Sequence, residues 1–303
     1  MQTSRSHTPR RSVLYVPADR PRAMAKAETL GNDAAIFDLE DAVAPEAKNA
    51  AREGLRRHFA EHPSSPKERV IRINALDTQW GTEDLLAARA CMPDAILLPK
   101  VEAAGDLVAL ADALAETDAP PTLKLWAMIE TPRAVINAAR IAEKAQESSM
   151  RLDCFVIGTN DLFAAARLPM AGARDHAHGW LMAVVLAARA GGIDVLDGVF
   201  NDHNDADGFA AECAAGAAMG FDGKTLIHPA QIAAANAAFA PDAQAVAAAQ
   251  RVVDAFALPE NRDKGVIVVD GRMVERLHRD AALALIARHG RIAQSDAGAD
   301  DGD

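Results

Sequence analysis

The chain has 303 residues, of which 50% are hydrophobic and 25% charged, and its formal net charge is -11. That length suits one large α/β barrel or two modest domains with a sizeable core. The acidic balance and the lack of a basic patch argue against nucleic acid or an anionic membrane as partner. An anionic substrate is not excluded, because a few arginines placed in a pocket outweigh the global field. Cys91, Cys154 and Cys213 are widely spaced and form no Cys-x-x-Cys or zinc pattern. They read as buried free thiols in a reducing compartment. The polar, basic start from Met1 to Arg11 is neither a secretory signal nor an anchor, and no apolar run is long enough to span a bilayer. A soluble, cytoplasmic protein is the expectation.

Residues 1–10 are expected to be a disordered arm. Ser12 to Pro17 reads as a strand, and Asp19-Arg20-Pro21 opens a helix that Gly31-Asn32 stops. Ala34 to Leu39 is the second strand and runs into the acidic Glu40-Asp41. A helix follows from Pro45 to about Ala60. Arg69 to Asn74 is the third strand, and Thr82-Glu83-Asp84 suits the positive start of the next helix. Ala95 to Lys100 is the fourth strand, with a helix to about Glu116. The fifth, Leu123 to Ile129, is apolar and stops on Glu130. Thr131 can cap the helix after it, and Pro132 suits a first helical position.

Asp153 to Gly158 is the sixth strand, followed by Thr159-Asn160-Asp161-Leu162. A helix covers Gly179 to Ala190, Asp194 to Asp197 is the seventh strand, and a helix runs from Asp205 to Ala218. Asp222 to Ile227 is the eighth strand, with His228-Pro229 opening the eighth helix. Eight strand–helix pairs in strict alternation predict an α/β fold, a (β/α)8 TIM barrel spanning residues 11–258. A doubly wound dinucleotide fold lacks its Gly-x-Gly-x-x-Gly after the first strand. Residues 259–293 form a C-terminal helical extension: a short strand over Val266 to Val269, then Asp270-Gly271 and a helix from Met273 to about Arg288. It is expected to pack on the barrel or on a neighbouring subunit. The polar residues 294–303 are expected to be disordered.

Active sites of such barrels lie at the carboxyl ends of the strands. Collected there are Asp38, Glu40 and Asp41 after strand two, Arg72 and Asn74 on strand three, Lys100 after four, Glu130 after five, Asp161 after six and His228 after eight. Each has a structural alternative: Asp41 and Asp161 as helix caps, Lys100 as a solvated charge, His228 as the cap of the last helix. Converging on one mouth, the carboxylates would raise one another's pKa unless a cation relieved them. Oxygen ligands favour Mg²⁺ or Mn²⁺ over zinc, and Mg²⁺ keeps only one or two protein carboxylates.

The ordered motifs Arg11-Ser12-x-Leu-x-Val-Pro-x-x-Arg20-Pro21, Phe37-Asp38-Leu39-Glu40-Asp41-Ala42-Val43, Ile71-Arg72-Ile73-Asn74, Ile129-Glu130-Thr131-Pro132, Gly158-Thr159-Asn160-Asp161-Leu162 and Gly223-Lys224-x-x-Ile227-His228-Pro229-x-Gln231 resemble the HpcH/HpaI aldolase and citrate lyase superfamily. The nearest resemblance is to its citrate lyase β-subunit-like branch of malyl-CoA, methylmalyl-CoA and citramalyl-CoA lyases. The resemblance implies a Mg²⁺-dependent carbon–carbon lyase that reversibly cleaves a 3-hydroxyacyl-CoA into a keto acid and an acyl-CoA. It implies that Glu130 and Asp161 hold the metal, that Arg72 grips the keto-acid carboxylate, and that Glu40 and Asp41 hydrogen-bond metal-bound water. Arg20 and Lys26 would lie near the CoA phosphates. The acid/base group would be Glu275, standing where an aspartate is usual and reaching in from a neighbouring subunit of a homotrimer or hexamer. Two alternatives stay open: an aldolase on free hydroxy-keto diacids without CoA, and a citrate lyase β-subunit that acts only within a complex.

Overall fold

The structure, a computed structural model, describes residues 9–169 and 172–300. The chain divides into two compact units, one of Arg10–Phe239 and one holding the chain from Ala240 onward.

In the first unit β1 (Ser12–Pro17), β2 (Ala34–Asp38), β3 (Glu68–Arg72), β4 (Ala95–Leu98), β5 (Lys124–Ile129), β6 (Leu152–Ile157), β7 (Asp194–Asp197) and β8 (Gly223–Leu226) form a closed barrel in chain order. Every neighbouring pair is parallel, and β8 returns to β1. The helices that follow the strands are α1 (Pro21–Thr29), α2 (Lys48–Glu61), α3 (Gly81–Cys91), α4 (Ala104–Glu116) and α5 (Pro132–Glu143). After β6 come α6 (Thr159–Ala165), α7 (Ala173–His176) and α8 (His178–Gly191), then α9 (Ala206–Met219) and α10 (Ile232–Phe239). This is the (β/α)8 barrel that the alternation predicted. The short α6 and α7 are additions that it did not predict.

Strand residues alternate between two cores, as side chains on a pleated strand must. Val13, Ala34, Ile36, Val70, Leu97, Trp126, Met128 and Val156 fill the barrel interior. Their neighbours Leu14, Ala35, Phe37, Ile71, Ile96, Ala127 and Phe155 pack outward with the helix faces. The same parity carried two residues further places Asp38, Arg72 and Glu130 on the interior side at the carboxyl edge. Asp38 and Arg72 are direct partners in the β2–β3 register.

Arg10 departs from the disordered arm expected for residues 1–10: it is 5% exposed. Its guanidinium donates to Glu68 (Nε, 2.7 Å; Nη2, 2.7 Å), Asp153 (2.5 Å) and Asp194 (2.9 Å) and stands 4.8 Å from the Trp126 ring centroid. It plugs the amino end of the barrel, opposite the edge where ligands bind. The rest of that arm, residues 1–8, lies outside the described residues.

The second unit contains α11 (Ala243–Ala257), β9 (Val266–Val269), β10 (Arg272–Glu275) and α12 (Arg276–Asp300). The sequence reading placed the barrel boundary near residue 258, whereas α11 groups with the tail. It also began the final helix at Met273. Instead Asp270 (φ 50°) and Gly271 (φ 75°) make a tight turn, and Arg272–Glu275 pairs antiparallel with β9. An Asp-Gly pair supplies the left-handed conformations that a two-residue hairpin needs, and this local preference prevails over helix propensity. Phe256, Ile267 and Val274 form the small core of this unit. Residues 294–300, expected to be disordered, continue α12, and residues 301–303 lie outside the described residues. Among the described residues no helix is long and apolar enough to cross a membrane. The three cysteines are free and buried, as expected.

Candidate active site

A cavity of about 320 Å³ opens at the carboxyl edge of the barrel. Tyr15, Asp38, Asp41, Arg72, Met128, Glu130, Gly158, Asp161 and Thr225 are among the residues that line it. Six strand ends therefore contribute these residues to one chamber, and parity on β1, β2, β3 and β5 determines which side chains face it. Two larger grooves adjoin. One, of about 1010 Å³, shares Asp41 and contains Glu40, Lys48, Trp80, Lys100 and Arg133. The other, of about 870 Å³, shares Thr159, Asn160 and Val199.

Arg72 is buried and most of its fork is already taken. Nε donates to Asp38 Oδ1 at 2.7 Å and Nη2 to Asp38 Oδ2 at 2.5 Å. Such a two-point pair fixes the plane of the guanidinium. The remaining corner, Nη1, lies 2.7 Å from Glu40 Oε2 and 3.8 Å from Asp41. That approach to Glu40 is an ion pair without hydrogen-bond geometry. Asp38 also accepts from the N–H groups of Glu40 (2.9 Å) and Ala42 (3.1 Å), so one buried carboxylate orients both Arg72 and the acidic loop. Burial works against the Arg72 charge, but Asp38 more than offsets it and holds the guanidinium firmly protonated.

Glu130 follows β5 and is 1% exposed. Its Oε1 accepts the Lys100 N–H at 2.7 Å. Lys100 reaches this position with φ 53°, in the left-handed region that a non-glycine residue adopts only under constraint. Its Nζ donates to Glu40 Oε1 at 3.1 Å. Lys100 is thus no mere solvated charge: its backbone holds one carboxylate and its side chain another. Burial, then the negative charge of Glu40, pushes the Glu130 carboxyl up to about 8; the Lys100 N–H only partly counters this, and Asp161 adds to it. Burial raises Glu40 as well, against the pull of Arg72. Gly158 leaves room beside Glu130: a Cβ there would stand 2.6 Å from Oε2 and 2.5 Å from the Glu130 Cβ.

Asp161 sits in the first turn of α6 and faces the same chamber. Among the described residues no three His, Cys, Asp or Glu side chains converge as a metal cage. Two carboxylates and open space suit Mg²⁺, which prefers few protein oxygens and keeps waters and substrate atoms. The mutual repulsion that raises Glu130 is what a bound cation would relieve. The donor set therefore fits a hard divalent ion.

Other expected positions fall differently. Arg20 is exposed at the start of α1 near the rim, and Lys26 is exposed in the last turn of that helix, further from the edge; neither lines the chamber. Glu275 ends β10 in the second unit, where its N–H donates to His278 Nδ1 at 2.9 Å. Asn74 is structural: its side chain donates to the Leu39 carbonyl at 2.9 Å and accepts from Lys48 at 3.1 Å. His228 caps the turn after β8, accepting from the Ala230 N–H at 3.2 Å. The Asp38–Arg72 pairing and Tyr15 escaped the sequence reading. Counting parity from Val13 would have placed Tyr15 inward.

Together the closed (β/α)8 barrel and the arginine–carboxylate chamber at its carboxyl edge define a TIM-barrel protein with its ligand site where such barrels carry their chemistry. The family model for HpcH/HpaI aldolase/citrate lyase matches residues 11–229, and the chain belongs to that family. A (3S)-malyl-CoA thioesterase from Cereibacter sphaeroides is 43% identical over 285 residues, covering 94% of this chain and 96% of that protein. The citrate lyase subunit beta of Escherichia coli is 32% identical over 92% of this chain and 93% of its own length. Among solved structures, CitE from Mycobacterium tuberculosis in complex with magnesium, acetoacetate and coenzyme A superposes with a TM-score of 0.74 at 33% identity, covering 94% of this chain and 99% of that one.

Proposed function

We propose that this protein is a Mg²⁺-dependent carbon–carbon lyase acting on a 3-hydroxyacyl-CoA of the malyl type, giving a keto acid and an acyl-CoA. The observation that carries this reading is the 320 Å³ chamber that Arg72 and the carboxylates Glu130 and Asp161 line together. Its size suits a small keto acid, and the adjoining grooves offer room for a longer thioester arm. The coenzyme A and magnesium in the M. tuberculosis CitE structure support the same ligands here.

Glu130 and Asp161 would hold the cation, which when bound supplies a Lewis acid at the substrate oxygen that becomes the carbonyl. Asp38 keeps Arg72 in plane, and Arg72 Nη1 anchors the substrate carboxylate. Glu40 and Asp41 order water at the chamber edge, through which the substrate hydroxyl proton can leave. The carbon–carbon bond then breaks, its electron pair passes to the thioester enolate, and that carbon takes up a proton. Glu275 is the donor for this step, contributed by a neighbouring copy in a homotrimer or hexamer; proton transfer of this kind is typically worth about 10²–10⁴ in rate. Arg20 and Lys26 offer positive charge for the CoA phosphates. We place the reaction in the cytoplasm, and the three buried thiols support a reducing setting.

Thioester hydrolysis is a second reading, favoured by the 43% identical relative named as a malyl-CoA thioesterase. One assay separates the two. The purified chain and Mg²⁺ are given malyl-, methylmalyl-, citramalyl- or citryl-CoA, and keto acid and free CoA are followed together. Keto acid with acyl-CoA supports the lyase, and free CoA with the hydroxy acid supports the hydrolase. Turnover of none of the four would overturn both. A melting shift with pyruvate and Mg²⁺ but none with CoA would favour an aldolase without CoA. Activity only on adding an acyl-carrier partner would favour a citrate lyase β-subunit.

A further inference from the structure

Tyr15 is the only tyrosine in the chain. Strand parity points it into the barrel two residues after Val13, in the layer that meets the chamber. Its ring centroid lies 5.0 Å from Arg72 Cζ. Its hydroxyl oxygen is buried and has no hydrogen-bond partner among the described residues. Buried hydroxyls nearly always have a partner, and leaving one unmade costs stability. A lone phenol in the wall of a ligand chamber is therefore a group kept for something that binds.

Its surroundings narrow what that is. Burial holds the hydroxyl protonated against the pull of Arg72, and Asp38, Glu130 and Glu40 reinforce burial. Tyr15 is thus a neutral donor that faces an anionic oxygen best. Beside it stands Arg72, with Nε and Nη2 committed to Asp38 and Nη1 turned to the chamber, 2.7 Å from Glu40 Oε2 and 3.7 Å from Met128 Sδ. A single N–H corner grips one oxygen of a carboxylate and leaves the other without a donor.

We propose that the Tyr15 hydroxyl donates a hydrogen bond to the carboxylate of the bound keto acid, completing with Arg72 Nη1 a two-donor clamp on that carboxylate. This rests on reading the chamber as the keto-acid site. The ring over Arg72 keeps the guanidinium covered, and the hydroxyl reads the ligand.

The test is Tyr15→Phe in the full chain, which keeps the ring and removes one oxygen. Oxaloacetate and glyoxylate binding in the presence of Mg²⁺ are measured by calorimetry on both proteins, alongside Mg²⁺ alone and ligand-free melting. A hydrogen bond to a charged group predicts roughly 10- to 100-fold weaker keto-acid binding. Mg²⁺ affinity should be unchanged, and ligand-free melting unchanged or higher, because no internal bond is lost. Unchanged keto-acid binding would overturn the proposal, and so would a lower ligand-free melting temperature without loss of affinity, which would reveal an internal partner. Wild-type protein that binds neither acid would overturn it too. Wild-type protein that binds an acid but turns over no thioester would sink the lyase reading alone, and the Tyr15→Phe ratio would still decide this one.

Discussion

Replacing Glu130 by Gln should make the metal-free protein more stable and the enzyme inactive. The carboxyl is 1% exposed and is pushed up to about 8 by burial first and by Glu40 second. A folded-state value above the unfolded one means that the folded chain holds the proton more tightly. This contribution to stability is therefore complete below the unfolded value and declines as the pH rises toward 8. At about 1.4 kcal/mol per pH unit, the metal-free wild type forfeits roughly 3 kcal/mol at pH 7 through this one side chain. Gln keeps the acceptor for the Lys100 N–H and carries no charge, so it escapes the penalty. Metal-free melting curves from pH 5 to 8 should show the variant pulling ahead of wild type as the pH rises, by several degrees at pH 7 to 8. Adding Mg²⁺ should close most of that gap. A ligand at 100 times its dissociation constant stabilises by about 2.7 kcal/mol, and only wild type should show that shift, with proton release below pH 8. A variant that binds Mg²⁺ like wild type, or a wild-type-minus-variant difference that does not change with pH, would refute the reasoning.

Three further outcomes follow from the same geometry. Gly158→Ala puts a Cβ 2.6 Å from Glu130 Oε2, so Mg²⁺ affinity should fall at least about tenfold with the barrel's circular dichroism retained, this being a loss of roughly 1.4 kcal/mol or more; calorimetry with Mg²⁺ decides it. Glu275→Gln should leave Mg²⁺ and keto-acid binding intact while thioester cleavage drops about 10²–10⁴-fold, and normal turnover would move the acid/base role elsewhere. Arg10→Met leaves Glu68, Asp153 and Asp194 without their shared cation. Breaking such a buried network costs about 3–5 kcal/mol, and the loss should be largest at neutral pH and shrink in acid, where Glu68, already raised by burial, takes up a proton; chemical denaturation at pH 5 and pH 7 measures it.

Much of this was legible in one dimension because strand and helix carry different periods. β1 runs over Ser12–Pro17 as the sequence predicts, and β7 over Asp194–Asp197. Thr131 caps α5 by accepting the Ala134 N–H at 3.1 Å, which places Glu130 at the strand–helix junction. Period-2 alternation reaching Glu130 through Trp126 and Met128 settles that it faces inward, a property of the strand alone.

What only the tertiary structure decided concerns pairs far apart in the chain. Asp38 and Arg72 are 34 residues apart, and their pairing depends on how β2 and β3 come into register. Lys100 and Glu130 meet because β4 and β5 end side by side and the backbone at Lys100 turns left-handed. Arg10 read as the end of a polar arm because nothing in residues 1–10 shows that three carboxylates from β3, β6 and β7 converge on it. Met273 to Glu275 read as helix because helix propensity is a weak preference that the Asp270-Gly271 turn and β9 override. Periodicity tells which way a side chain points relative to its own strand. Closing the barrel decides what stands opposite it, and in this chamber the opposing group sets the charge, the pairing and the chemistry.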